Sequence, residues 1–177
     1  VLEYPREYLS YFTTQIFYIC NIYPFIDSRP MLSLEEEQNI NMTADIRIIG
    51  YTLETRPDGI DHESIYYLRS LGVTRMQIGI QHTNNELLKI VNRGHTVEDS
   101  IRALKLLKDS GIKVICHLMP DLPYATKEQD IEMFNRILND PDLVFDEGKI
   151  YPMVATDYTI VKKWADEGKY VSNADKD

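Results

Sequence analysis

Residues 75–120 read RMQIGIQHTNNELLKIVNRGHTVEDSIRALKLLKDSGIKVICHLMP, and the punctuation of this stretch decides the fold. Arg75 to Ile80 reads as a strand that ends at Gln81-His82-Thr83. A short helix around Glu86 to Val91 leads to Asn92-Arg93-Gly94-His95. There Thr96 caps a longer helix carrying Ile101, Leu104 and Leu107, which closes at Gly111. A second strand, Lys113 to Leu118, follows at once. Strand, helix, strand with a crossover of this length joins parallel strands in a right-handed βαβ unit.

Working outward, the same grammar repeats. Upstream, Arg47 to Leu53 predicts a buried strand on Ile46, Ile48, Ile49, Tyr51 and Leu53, broken at Glu54-Thr55-Arg56-Pro57-Asp58-Gly59. A helix then runs from an Asp61 cap to Leu71, with Gly72 past its end. Earlier still, Leu9, Phe12, Ile16 and Ile19 recur at helical spacing between Glu3 and Cys20, and this aromatic stripe reads as core. A connection through Pro24 and Pro30 leads to a short acidic helix opened by Ser33, with Glu35, Glu36 and Glu37 as a solvated first turn. Downstream, Met119-Pro120-Asp121-Leu122-Pro123 precedes a Thr126 and Gln129 capping box and a helix through Ile131, Phe134, Ile137 and Leu138. A last strand, Lys149 to Tyr151, gives way to an irregular stretch from Met153 to Asp157 and a helix from Tyr158 to Glu167. The fold class is therefore α/β with parallel strands, an open doubly wound sheet or an arc of a (β/α) barrel, and we expect the arc. The domain should cover 1–171, with 172–177 a frayed tail.

The 177 residues, 44% hydrophobic and 27% charged, are those of one ordinary globular domain. No apolar run approaches the roughly 20 residues that span a bilayer, and the start lacks the pattern of a signal peptide, so we expect a cytoplasmic protein that does not meet a membrane. A chain that begins at Val1 and enters almost at once into a helical pattern reads as an N-terminally truncated fragment. Cys20 and Cys116 are far apart and lack a CxxC partner, so this chain alone builds neither a disulfide framework nor a cysteine metal site, and both read as small buried hydrophobes. The net charge of -9 argues against a nucleic-acid surface formed by this segment by itself.

In parallel β/α folds, ligands bind at the carboxyl ends of strands, where the chain opens into loops and helix N-termini. Each unusual polar cluster falls there: Glu54, Thr55, Arg56 and Asp58 after the first strand, Gln81 and His82 after the second, Asp121 after the third, Asp157 and Tyr158 after the fourth. The plainer possibility is ordinary loop chemistry, with Glu54 and Arg56 pairing with each other. His117, inside a strand, reads by itself as a satisfied core histidine, whereas His95, between a glycine and a helix cap, reads as a positioned polar group. No nucleophile elbow, Walker loop, GxGxxG or HExxH occurs. The clusters suit a polar cofactor with charged and hydroxyl groups.

In this order, Leu53-Glu54-Thr55-Arg56-Pro57-Asp58, Ile78-Gly79-Ile80-Gln81, Asn92-Arg93-Gly94-His95-Thr96, Lys108-Asp109-Ser110-Gly111, His117-Leu118-Met119-Pro120-Asp121-Leu122-Pro123 and Lys149-Ile150-Tyr151-Pro152 resemble the radical S-adenosylmethionine domain of the Elongator catalytic subunit family, which modifies the tRNA wobble uridine. The resemblance implies a partial (β/α) barrel of the radical S-adenosylmethionine type. It implies that Glu54, Arg56, Gln81, Arg93 and His95 bind S-adenosylmethionine, with the backbone of Met119 and Pro120 beside the adenine and His117 and Asp121 as catalytic residues near the reaction chamber. It also implies a four-iron four-sulfur cluster whose ligands are absent from this chain, and acetyl-CoA bound mainly outside it. The implied reaction cleaves S-adenosylmethionine to a 5′-deoxyadenosyl radical, which takes hydrogen from the acetyl group before the carbon radical attacks the uridine. Partners would be tRNA and other Elongator subunits, and no metal ligand is expected within these residues. Val154-Ala155-Thr156-Asp157-Tyr158 departs from the family's usual stretch. The alternatives are a non-catalytic remnant acting as an interaction module and a radical enzyme of the coproporphyrinogen dehydrogenase kind acting on a small molecule.

Overall fold

A computed structural model of the chain describes residues 2–25 and 29–172. Four parallel strands lie in chain order, β1 (Thr52–Thr55), β2 (Arg75–Gln81), β3 (Lys113–Leu118) and β4 (Glu147–Ile150). Before them come α1 (Arg6–Ile22) and α2 (Leu34–Asn41); between them α3 (His62–Ser70), α4 (Asn85–Ile90), α5 (Val97–Asp109) and α6 (Lys127–Asn139); after them α7 (Ile160–Asp166). Consecutive parallel pairing with helical crossovers is the expected arc of a (β/α) barrel rather than a doubly wound sheet, whose strand order reverses at a switch point.

Strand alternation divides the side chains of β2 and β3 between two faces. Met76, Ile78 and Ile80 join Val114, Cys116 and Leu118 in one buried cluster with Leu68 of α3, Leu104 and Leu107 of α5 and Met133 of α6. The opposite, inner face takes Glu54, Gln77, Gly79, Ile115, His117 and Lys149. The helix boundaries follow the capping chemistry: Ser33, Asp61, Thr96 and Thr126 each close a capping box.

Several expectations fail for identifiable reasons. The segment 47–51 is not strand, because the ladder begins only where Thr52 meets Arg75, and Ile49 is 95% exposed. β-propensity without a partner to pair with does not make a strand. β4 starts two residues early, at Glu147. Of the expected stripe of α1, Leu9 is core, but Phe12 and Ile19 are exposed, because the buried face runs through Leu9, Thr13, Thr14, Phe17 and Ile22; the rings of Tyr4, Tyr8 and Phe12 form an outer row with centroids 5.6 and 6.2 Å apart. Ile131 and Leu138 of α6 are likewise exposed, and Met133 and Ile137 face the core.

Glu37 is not solvated. Its carboxylate is fully buried and accepts from Arg29 (2.7 Å at both oxygens), Asn21 Nδ2 and the Leu32 amide. Cys116 is buried as expected, but Cys20 is only half-buried. Of the expected tail, Ser172 is described and 173–177 lie outside the described residues.

Candidate functional site

The carboxyl end of β2 is where local backbone and side-chain chemistry converge. The pairing of β2 with β3 slips between Ile78 and Gln81, a bulge, and Gln81 takes a left-handed φ of 68°. The bulge turns the Gln81 side chain back over Gly79: a Cβ at Gly79 would stand 2.8 Å from Gln81 Nε2 and 3.0 Å from Arg93 Nη2. A side chain there would displace the ends of Gln81 and Arg93, by close approach and not through φ. Arg93 reaches this spot from the loop after α4 and donates weakly from Nη2 to the Gly79 carbonyl at 3.5 Å.

Two buried polar atoms at this spot are left without partners, Gln81 Oε1 and Arg93 Nε. Such orphans cost on the order of 1–3 kcal/mol each and are uncommon in folded chains. A ligand that donates to Gln81 and accepts from Arg93 would satisfy both. Burial, followed by the nearby Arg56 charge, pushes the Arg93 guanidinium below its ordinary value. The cation is thereby poised for an anionic group.

Beside these groups, Glu3, Glu54, Thr55, Arg56, Gly79 and Arg93 line an open cleft of about 400 Å³. Arg56 does not pair with Glu54. Its guanidinium forks onto Asp58 (3.1 and 2.9 Å) and lies 3.6 Å from Glu3. The geometry thus gathers Glu54, Arg56, Gln81 and Arg93 at one mouth.

The remaining expected residues sit around that mouth in different ways. The Met119 amide donates to the Gln81 carbonyl at 2.7 Å, while Pro120 accepts from the Met153 amide. The Met119 side chain packs on a small cluster of Leu87, Leu122 and Ala125. His95 is buried behind β2, donating from Nε2 to the Ile80 carbonyl at 3.1 Å, and burial lowers its pKa. It borders a separate cavity beside Asn85 and Lys89 rather than the cleft of Glu54. Asp121, at φ 64°, is pinned from three sides: its amide donates to Asp130, its carbonyl accepts from Tyr170, and its carboxylate accepts from Ser172 at 2.6 Å. His82 is buried away from the mouth, where Nδ1 accepts from the Asn84 amide and Nε2 meets Asp130 at 3.3 Å.

His117 is not a core histidine. Its ring lies half-buried on the inner face, with Nε2 2.6 Å from Gln77 Oε1 and Nδ1 3.5 Å from Glu54 Oε1. Lys149 Nζ donates to the same Gln77 oxygen at 3.0 Å, and the Tyr151 ring stands edge-on to His117 at 5.5 Å. Sequence reasoning missed Gln77 and Lys149 as site residues. The signal was a polar side chain at an odd position of β2, in register with Glu54 of β1, but a strand read as uniformly buried hides it.

For metal, the residues do not fit. Among the described residues no group of three or more His, Cys, Asp or Glu could hold an ion, and Cys116 points into the helix-side core, where burial raises its thiol pKa. No helix among the described residues is long and apolar enough to cross a membrane.

The chain matches the Radical SAM superfamily over residues 11–137. It is 40% identical over 167 residues to a tRNA uridine(34) acetyltransferase of Methanocaldococcus infernus, covering 94% of this chain and 31% of the relative. To the Elongator complex protein 3 of Homo sapiens it is 32% identical over 173 residues, 98% of this chain and 30% of the relative. The solved structure of Methanocaldococcus infernus Elp3 with an N-terminal deletion superposes with a TM-score of 0.89 at 38% identity, over 97% of this chain and 39% of that one. Coproporphyrinogen III oxidase of Escherichia coli, at 20% identity and a TM-score of 0.58 over 80% of this chain and 32% of that one, shares the fold. The chain spans about a third of the length of these curated relatives.

Proposed function

The chain belongs to the Radical SAM superfamily, and from that premise we propose that it is the S-adenosylmethionine-binding and positioning part of an Elongator-type enzyme that modifies the wobble uridine of tRNA. The observation that carries the proposal is the extent of the likeness: nearly the whole chain aligns with archaeal Elp3, while the coproporphyrinogen oxidase shares the fold alone.

In this proposal Glu54, Arg56, Gln81 and Arg93 hold S-adenosylmethionine, with the backbone of Met119 and Pro120 along one side and His95 supporting the end of β2 from behind. The unpartnered Gln81 Oε1 and Arg93 Nε fit a ligand that carries both an ammonium and a carboxylate. Bound there, S-adenosylmethionine would supply the radical chemistry, which belongs to the cofactor rather than to the protein. The chain's own contribution is to orient the cofactor and exclude water at the mouth. His117 and Asp121 face the substrate side, His117 through its inner-face nitrogen and Asp121 by fixing the loop after β3. The described residues do not provide ligands for a four-iron four-sulfur cluster. Acetyl-CoA as acyl donor, tRNA and other Elongator subunits as partners, and a cytoplasmic setting complete the proposal; with a net charge of -9, RNA affinity would come mainly from residues outside this chain.

Calorimetric titration of S-adenosylmethionine into the chain and its Gln81→Ala variant tests the cofactor site. Weaker binding by the variant at unchanged thermal stability is expected; equal affinity removes Gln81 from the pocket. Mass spectrometry of tRNA treated with the full-length protein tests the substrate. A modified uridine 34 is expected, and modification of a small molecule in its place overturns the tRNA assignment.

A further inference from the structure

The inner-face cluster fixes a protonation detail. Lysine has donors only, so the Gln77 atom 3.0 Å from Lys149 Nζ must be the amide oxygen. His117 Nε2 lies 2.6 Å from that oxygen and must therefore carry a hydrogen. A neutral imidazole has one hydrogen, which leaves Nδ1 bare.

We infer that Gln77 and Lys149 are positioning residues that hold His117 in its Nε2–H tautomer, so that Nδ1 is offered on the inner face as a hydrogen-bond acceptor to a donor group of the substrate. Nδ1 stands 3.5 Å from Glu54 Oε1, a second acceptor. The edge of Tyr151 walls the ring from another direction.

The groups that face His117 are Glu54 from β1, Lys149 from β4, Gln77 from β2 and the Tyr151 ring. Burial lowers the histidine's pKa, Glu54 opposes this, and Lys149 reinforces it. The bare nitrogen therefore persists to lower pH than in a free histidine.

The tautomer stands on the geometry of the sheet alone; only the identity of the donor rests on the proposed function. In uracil, N3–H is a donor of the required kind, whereas N3 of cytosine is an acceptor. The cluster would then favour uridine over cytidine.

Nitrogen-15 NMR of the labelled chain at neutral pH tests the inference, with the His117 ring signals assigned by their loss in His117→Gln. One protonated and one bare nitrogen are expected, with the hydrogen on Nε2. Gln77→Glu, which retains an acceptor for both donors, should keep that pattern; Gln77→Leu and Lys149→Met should yield a mixture of tautomers. A hydrogen on Nδ1 in the wild-type chain, or an unchanged pattern in both Gln77→Leu and Lys149→Met, overturns it. Because the readout is spectroscopic, absence of uridine modification by the full-length protein would sink the proposed function and leave the tautomer standing.

Discussion

Gln81 Nε2 stands 2.8 Å from the point that a Cβ at Gly79 would occupy, so the Gln81 side chain lies over the strand in space that Gly79 leaves open. Gly79→Ala would push aside the ends of two flexible side chains, Gln81 and Arg93, rather than backbone. We expect a stability change under about 1 kcal/mol by chemical denaturation. S-adenosylmethionine affinity should fall about tenfold, equivalent to roughly 1.4 kcal/mol. Loss of stability with retained affinity would mean that the contact serves packing alone.

Acid should destabilise the fold in a pH window set by histidines. Burial holds His82, His95 and His117 below the ordinary histidine value. The unfolded chain then binds more protons than the native one, so stability is full above the unfolded value of about 6.5 and declines as pH falls through it. Melting temperature measured from pH 7.5 to 5 should drop, and the drop should be shallower in His82→Gln. A flat profile contradicts the burial of these rings.

Glu37 supplies a second, more acidic window. Hydrogen bonding from Arg29 holds its carboxyl at about 2, so its contribution is present above the unfolded value of 4.5 and is lost as pH falls toward the folded one. Glu37→Ala leaves Arg29 and the Leu32 amide without their acceptor. It should cost about 3 kcal/mol by urea denaturation, in the range for breaking a buried pair. A cost under about 0.5 kcal/mol would show that water replaces the carboxylate.

The two cysteines should react differently. Cys20 is half-buried, whereas Cys116 is fully buried with its thiol pKa raised. With a thiol reagent, one group should be modified in the native chain and both after unfolding. Rapid modification of both in native buffer would place Cys116 outside the core.

Asp130 ties two strand ends together, accepting from His82 Nε2 at one oxygen and from the Asp121 amide at the other. Asp130→Ala should destabilise by about 1–3 kcal/mol, the cost of leaving buried donors unmet. S-adenosylmethionine affinity should fall as well, because Asp130 anchors the loop whose Met119 and Pro120 backbone is proposed to lie beside the cofactor. Unchanged affinity would remove that loop from the pocket.

The sequence by itself determined the order of strands and helices, the caps, and the crowding of polar residues at strand ends. These are local properties: a capping box such as Thr96 with Asp99, or a break such as Pro57 and Gly59, acts within a few residues. The tertiary structure decided which face each residue took and which partner it met. Ile49 has strand propensity but no neighbouring strand, so it is exposed; Glu37 sits in an acidic first turn, yet Arg29 makes its burial tolerable. His117 reads as core until the pleat sets it opposite Cys116, on the face shared with Gln77 and Lys149. Those contacts span 40 and 72 residues of chain, and no local pattern carries them, because they arise only when parallel strands come into register.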